Sequence, residues 1–197
     1  MCTTGPMTGS APTAKLALRD QLLAARRRRP LTELGEAARA IAGHVLAAPE
    51  VRRAATVAAY VSVGSEPGTT ALLDALADSG RHVLLPVLLP DNDLDWSRYA
   101  GHVESAGRGL LEPVGERLGP AAVATADVVL VPGLAVSQRG ERLGRGGGSY
   151  DRALARVPVG TPVWVLLYDD EVGRDVPVEP HDRPVTGAVS PAGVVRF

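Results

Sequence analysis

The chain has 197 residues, 45% of them hydrophobic, a net charge of −1 and a single cysteine. That length fits one domain with a sizeable core. The near-neutral charge excludes a global field that would gather nucleic acid or an anionic membrane, and the lone Cys2 excludes an intrachain disulfide framework or a cysteine-based zinc site.

Residues 1–14, MCTTGPMTGSAPTA, lack the charged-then-apolar layout of a signal peptide and are expected to form a disordered leader to a domain over residues 15–197. From Lys15 to Arg29, Leu16, Leu18, Leu22 and Leu23 recur at roughly helical spacing until Pro30 stops the run. The basic run Arg26–Arg29 has no aromatic interleaving and reads as a solvated helix end rather than a nucleic-acid footprint. Thr32 is the expected N-cap of a second helix carrying Leu34, Ala38, Ile41 and Val45 and stopping near Pro49. AATVAAYV, Ala54–Val61, has strand length; a helix from Thr70 to Asp78 and the apolar run HVLLPVLL follow. Strand, helix and strand in that order predict parallel strands joined by a right-handed crossover. LDWSRYA predicts a short strand, and EPVGERLGP a loop. Asp127–Gly133, DVVLVPG, and TPVWVLLYD predict two more buried strands, with a short helix near Tyr150–Ala155 between them. No apolar run approaches the ~20 residues of a membrane span. The expected fold class is α/β: a single three-layer domain with a mainly parallel central sheet flanked by helices.

Ligands of such sheets bind at the carboxyl ends of the strands. Three polar loops meet that condition, after Val61, Val131 and Leu167. The second contains GERLGRGGGSYDRAL, which is neither a Walker A motif nor a dinucleotide fingerprint. It offers unhindered backbone N–H groups before a helix start, flanked by Arg142, Arg145 and Arg152. Amides, helix dipole and guanidinium charge together bind phosphate. A plain glycine-rich surface turn stays open on spacing alone.

RLGRGGGSYDRAL resembles the signature of the 5-formyltetrahydrofolate cyclo-ligase family, R-L-G-[YR]-G-x-G-[YF]-Y-D-R-x-L. KLALR from Lys15, SEPGT from Ser65, GLLEP, VPGLAV and VPVEPHD resemble further family segments in the right order. The single cysteine makes a reducing cytoplasm the expected compartment, and the resemblance implies an enzyme using ATP and Mg2+ to close 5-formyltetrahydrofolate to 5,10-methenyltetrahydrofolate. In that chemistry the formyl oxygen attacks the γ-phosphate, N10 attacks the activated carbon, and phosphate departs. Protein groups mainly position and neutralise charge in such a transfer.

On this resemblance Lys15 and Arg19 reach the ATP phosphates, and Gly144, Gly146, Gly147, Gly148 and Ser149 wrap them. Arg142 and Arg145 add charge, and Tyr150 borders nucleotide or folate. Asp151 and Asp182 hold magnesium, and Val61 and Glu66 contact the folate. Lys15, Arg145 and Asp151 are the implied catalytic residues. Departures are Val136 and Ser137 where Phe-Asp is usual, Ser149 in place of an aromatic residue, and Ser190–Pro191 where Thr-Glu is frequent. The implied partner is a reduced folate, with no nucleic acid and no membrane, acting as a monomer or small homo-oligomer. A phosphosugar isomerase, an acyl-transfer enzyme of similar fold, or an enzyme for a related formamide stands as the alternative, because fold alone does not separate them.

Overall fold

The computed structural model describes residues 11–197, the side chain of Arg108 excepted; the expected leader lies outside them as far as residue 10. In chain order the elements are α1 (Ala11–Arg26), α2 (Leu31–Ala47), α3 (Pro49–Arg53), β1 (Thr56–Ala58), α4 (Thr70–Asp78), β2 (His82–Leu88), β3 (Leu94–Arg98), β4 (Val103–Ser105) and β5 (Leu111–Pro113). The chain continues with β6 (Val128–Pro132), β7 (Ala135–Val136), β8 (Arg142–Leu143), α5 (Ser149–Leu154), β9 (Val163–Leu166), β10 (Gly187–Ser190) and β11 (Gly193–Arg196). Seven strands form one sheet in the order β11-β10-β9-β6-β1-β2-β3. Neighbours from β10 through β2 are parallel, and the antiparallel strands β11 and β3 close the two edges.

A parallel sheet covered on both faces needs apolar side chains on both, and the alternation shows it. Val57, Val83, Leu85, Val128, Leu130, Trp164 and Leu166 face α2, α3 and α4 in one buried cluster. Ala58, Leu84, Val129, Val131, Val163 and Val165 face α5 and the turn at Val123 in the other. Helix α1 sits apart, its Leu22 packed against Leu134, Ala135, Leu143 and Val176.

Several local expectations are corrected. Helix α1 begins at Ala11, so residues 11–14 of the expected leader are helical. It stops at Arg26, because Arg28 and Arg29 bond to Ala25 and Arg26 in a tighter final turn before Pro30. Thr32 lies inside α2; Pro30, with φ −62 and ψ 148, holds the cap position, and the Leu34 amide bonds its carbonyl at 3.1 Å. Part of the expected EPVGERLGP loop, Glu112 and Pro113, belongs to β5, which pairs with β4. Pro86 sits within β2 at no cost to the ladder, because β1 pairs with β2 only as far as Leu84.

Within the Arg26–Arg29 run, Arg27 and Arg28 are exposed, as a solvated helix end would have them, but Arg26 and Arg29 are not. Arg26 is 1% exposed and forks onto Glu171, with Nε and Nη2 both 2.7 Å from the carboxylate; Nη2 also donates to the Gly133 carbonyl at 2.7 Å. Arg29 pairs with Glu33 and Asp170 and lies over the Tyr168 ring, 4.1 Å from its centroid. Removing one partner of a buried pair strands the other charge, at about 3–5 kcal/mol. Arg26→Ala is therefore expected to lower the unfolding free energy by about that amount, while Arg26→Met combined with Glu171→Met recovers most of it. Urea denaturation of the three variants checks this.

Candidate active site

The chain leaves β1 toward β2 on one side, and β6 begins the run of strands on the other side of β1. The loops after these two strands therefore diverge, opening a crevice at their carboxyl ends. A cavity of about 250 Å3 lies there. Tyr60, Val61 and Glu66 line it from the β1 side, Pro132 and Gly133 from the end of β6, and Leu110, Leu111 and Glu112 from around β5. Its wall is mostly apolar.

The glycine loop crosses this crevice. Gly146 and Gly148 have φ of +100 and +70, a backbone region that side chains disfavour. A Cβ on Gly144 would lie 2.8 Å from Arg142 Nη1, whereas one on Gly147 would meet only Ser149 Oγ, at 3.5 Å. Gly147 therefore faces open space. The backbone nitrogens of Gly146, Gly147 and Gly148 donate to no described residue, while the Gly144 carbonyl accepts from Arg19 Nε at 2.9 Å. Free amides beside cations are what an anion needs.

On the other side of this loop is a second, polar cleft of about 280 Å3. Lys15 and Arg19 of α1 line it together with Asp151, Glu179, His181 and Asp182, and the loop glycines 144 and 146–148 line both cavities. Lys15 is buried, with Nζ 2.6 Å from Asp182 Oδ2 and 2.7 Å from Glu179 Oε2. Burial alone would lower the Lys15 pKa, but the bonds to Asp182 and Glu179 outweigh it and hold the ammonium above the ordinary lysine value. Burial would likewise raise Asp182, yet Lys15 and the Glu179 amide hold its carboxyl below the usual range. Oxygen and nitrogen atoms of Glu179, His181 and Asp182 lie within 4.8 Å of one another. Asp151 is not one of that group; its Oδ1 accepts from Arg142 Nη2 and the Arg183 amide, each at 3.2 Å.

The 5-formyltetrahydrofolate cyclo-ligase family model matches residues 11–191. The chain belongs to this family. It is similar to a 5-formyltetrahydrofolate cyclo-ligase of Mycolicibacterium smegmatis, 41% identical over 194 residues, covering 95% of this chain and 99% of the relative. The Escherichia coli K12 cyclo-ligase is 33% identical over 183 residues, covering 85% of this chain and 96% of its own. Among solved structures, the Aquifex aeolicus 5,10-methenyltetrahydrofolate synthetase superposes with a TM-score of 0.78 at 28% identity, covering 92% of each chain. The Mycoplasma pneumoniae synthetase shares the fold at a TM-score of 0.71 and 19% identity, covering 90% of this chain and 98% of its own.

The residues marked by the family resemblance divide between the two cavities. Val61, Glu66, Arg145, Ser149 and Tyr150 line the apolar one only; Lys15, Arg19 and Asp182 line the polar one only; Arg142, Asp151 and the glycines line both. Arg145 turns away from the polar cleft: its Nε bonds Glu66 Oε1 at 2.9 Å. Arg142 is a buried brace, donating to Pro132 O at 3.1 Å and to Asp151, with its guanidinium 5.9 Å from the Tyr150 ring centroid. Ser137, where the family usually has aspartate, still orders its hairpin. Its hydroxyl donates to Glu141 at 2.6 Å and accepts from the amides of Arg139 and Glu141. Sequence reasoning missed Glu179, although it stands in the quoted VPVEPHD segment, and missed Tyr60, hidden within an apolar strand run.

The clamp on Lys15 sets a pH dependence. Asp182 has a lower pKa folded than unfolded, so its contribution is present above about pH 4 and lost as pH falls through the folded value. Lys15 has a raised folded pKa, so its contribution holds below about pH 10.4 and is lost only in stronger alkali. Lys15→Met is expected to cost about 1.5–3 kcal/mol at neutral pH and to make the acid limb shallower, because the ammonium no longer holds Asp182 down and the Glu179 amide alone of the two remains. Urea unfolding between pH 3 and 7 measures both effects.

Proposed function

We propose that this chain performs the ATP- and magnesium-dependent conversion of 5-formyltetrahydrofolate to 5,10-methenyltetrahydrofolate, with release of ADP and phosphate. Family membership and the names of its relatives support the overall reaction. The observation that carries the reading to this site is the glycine loop as a shared wall between an apolar cavity and a polar cleft lined by charges of both signs. Phosphoryl transfer needs donor and acceptor brought together across a short gap with their charge neutralised. A wall of glycines is the thinnest partition a backbone can make.

ATP with magnesium would supply the phosphoryl group that turns the formyl oxygen, a poor leaving group, into one that departs. The residues present fit such a ligand. Free amides of Gly146, Gly147 and Gly148, with Lys15 and Arg19 alongside, suit a polyphosphate. Asp151 and Asp182 offer hard oxygen donors at the same cleft, and magnesium bound with phosphates takes one or two carboxylates. Lys15 would pass from its carboxylate partners to phosphate, which frees Asp182. On the other side, Leu88, Leu94, Leu110 and Leu111 exclude water, Tyr150 borders the loop, and Glu66 accepts hydrogen bonds from the heterocycle. Among the described residues no helix is long and apolar enough to cross a membrane.

Appearance of the methenyl chromophore from 5-formyltetrahydrofolate only when Mg-ATP is present tests the reaction; no chromophore under any nucleotide condition refutes it. Gly147→Val should fold normally, because its Cβ meets no backbone, yet lose ATP binding by a hundredfold or more, an order of magnitude set by the loss of several amide bonds. Calorimetric titration with Mg-ATP reads that loss. Asp151→Asn should cut turnover at least about tenfold, with partial recovery at high magnesium. A magnesium titration of its rate separates a metal role from a purely structural bond to Arg142.

A further inference from the structure

We propose that Tyr60 contacts the substrate, its hydroxyl being the hydrogen-bond donor that complements the acceptor Glu66 at the polar edge of the heterocycle in the apolar cavity. The proposal rests on the reading that this cavity takes a reduced folate. Tyr60 follows β1, just where the loops diverge, and is 3% exposed. Its ring packs in the core with Leu72 and Leu76, and the residue also lines the cavity. Its hydroxyl is buried and has no hydrogen-bond partner among the described residues. Two other buried tyrosines differ: Tyr99 donates to Asp74 at 2.6 Å, and Tyr168 to the Ser65 carbonyl at 3.2 Å.

A buried polar group left without a partner destabilises a fold, and phenylalanine would fill the same volume without that penalty. The unmet hydroxyl at a cavity wall is therefore a group awaiting a ligand. Burial, reinforced by the charge of Glu66, pushes the phenol well above its ordinary pKa, so it stays protonated and donates. Glu66 lines the same cavity with a carboxylate, which only accepts, and a ligand N–H would join or replace the bonds it already takes from Arg145 and the Val63 amide. One donor and one acceptor match a ring amide, whose carbonyl and N–H stand side by side, as in the pyrimidinone half of a pterin. A heterocycle offering only donors or only acceptors would leave one of the two unpaired, and discrimination would follow.

The test is Tyr60→Phe, measured by thermal unfolding and by equilibrium binding of 5-formyltetrahydrofolate without nucleotide, so that no turnover intervenes. The expected result is an unchanged or higher Tm, about three- to tenfold weaker folate binding, as loss of one hydrogen bond gives, and unchanged Mg-ATP affinity. Folate affinity equal to wild type overturns the proposal. A lower Tm with unchanged folate affinity also overturns it, showing that the hydroxyl serves the core. Wild-type protein that fails to bind the folate at all sinks the reading of the cavity, and the Tyr60 role with it. Wild-type binding with an indifferent Phe variant sinks the Tyr60 role alone.

Discussion

The site depends on a constraint of chain direction. Parallel neighbours need crossovers, and because β2 lies on one side of β1 and β6 on the other, the loops leaving β1 and β6 part company. Nothing in the sheet fills the gap between them. β1 also stops pairing with β2 at Ala58, so Pro86 and Leu88 of β2 run on beside the opening and line it. The glycine loop, returning from the β7–β8 hairpin, then spans the gap. The apolar cavity follows from these facts before any polar side chain is considered; the polar cleft also needs α1 and residues 179–182.

What the sheet leaves open, α1 completes with two cations at opposite ends of one helix. Arg26 fastens the carboxyl end through Glu171 and the Gly133 carbonyl, at the very residue where β6 gives way to the cavity wall. Lys15, near the other end, reaches Asp182 and Glu179. The first contact is fully buried and bidentate; the second has carboxylates that remain partly solvated. Arg26 therefore serves as a fixed anchor, whereas Lys15 keeps bonds that can be exchanged for those of an incoming anion.

Where apolar runs were long or continuous, the sequence spoke clearly. α4 spans Thr70–Asp78 as the periodicity predicts, LDWSR forms β3, and the βαβ unit is parallel with the expected order. Shorter elements were silent. β7 and β8 have two residues each, and the β10–β11 hairpin, GAVS and GVVR, is rich in small residues with a partly exposed edge. The burial of Arg26 was unreadable, because its partner stands 145 residues away and a basic run ordinarily means solvent. Likewise the motif marked Arg145 for phosphate, but only its coordinates reveal Glu66 as its partner. The resemblance named the groups; it did not say which side of the loop each one faces.

The Arg145–Glu66 bond has a further effect. Glu66 Oε1 is already occupied by an internal competitor, so any molecule seeking that carboxylate meets an exchange equilibrium rather than a vacant acceptor. Its apparent affinity is its intrinsic affinity diminished by the cost of displacing the guanidinium. The displaced group belongs to the glycine loop that lines both cavities, so a ligand that released it would link the occupancy of one cavity to the charge beside the other.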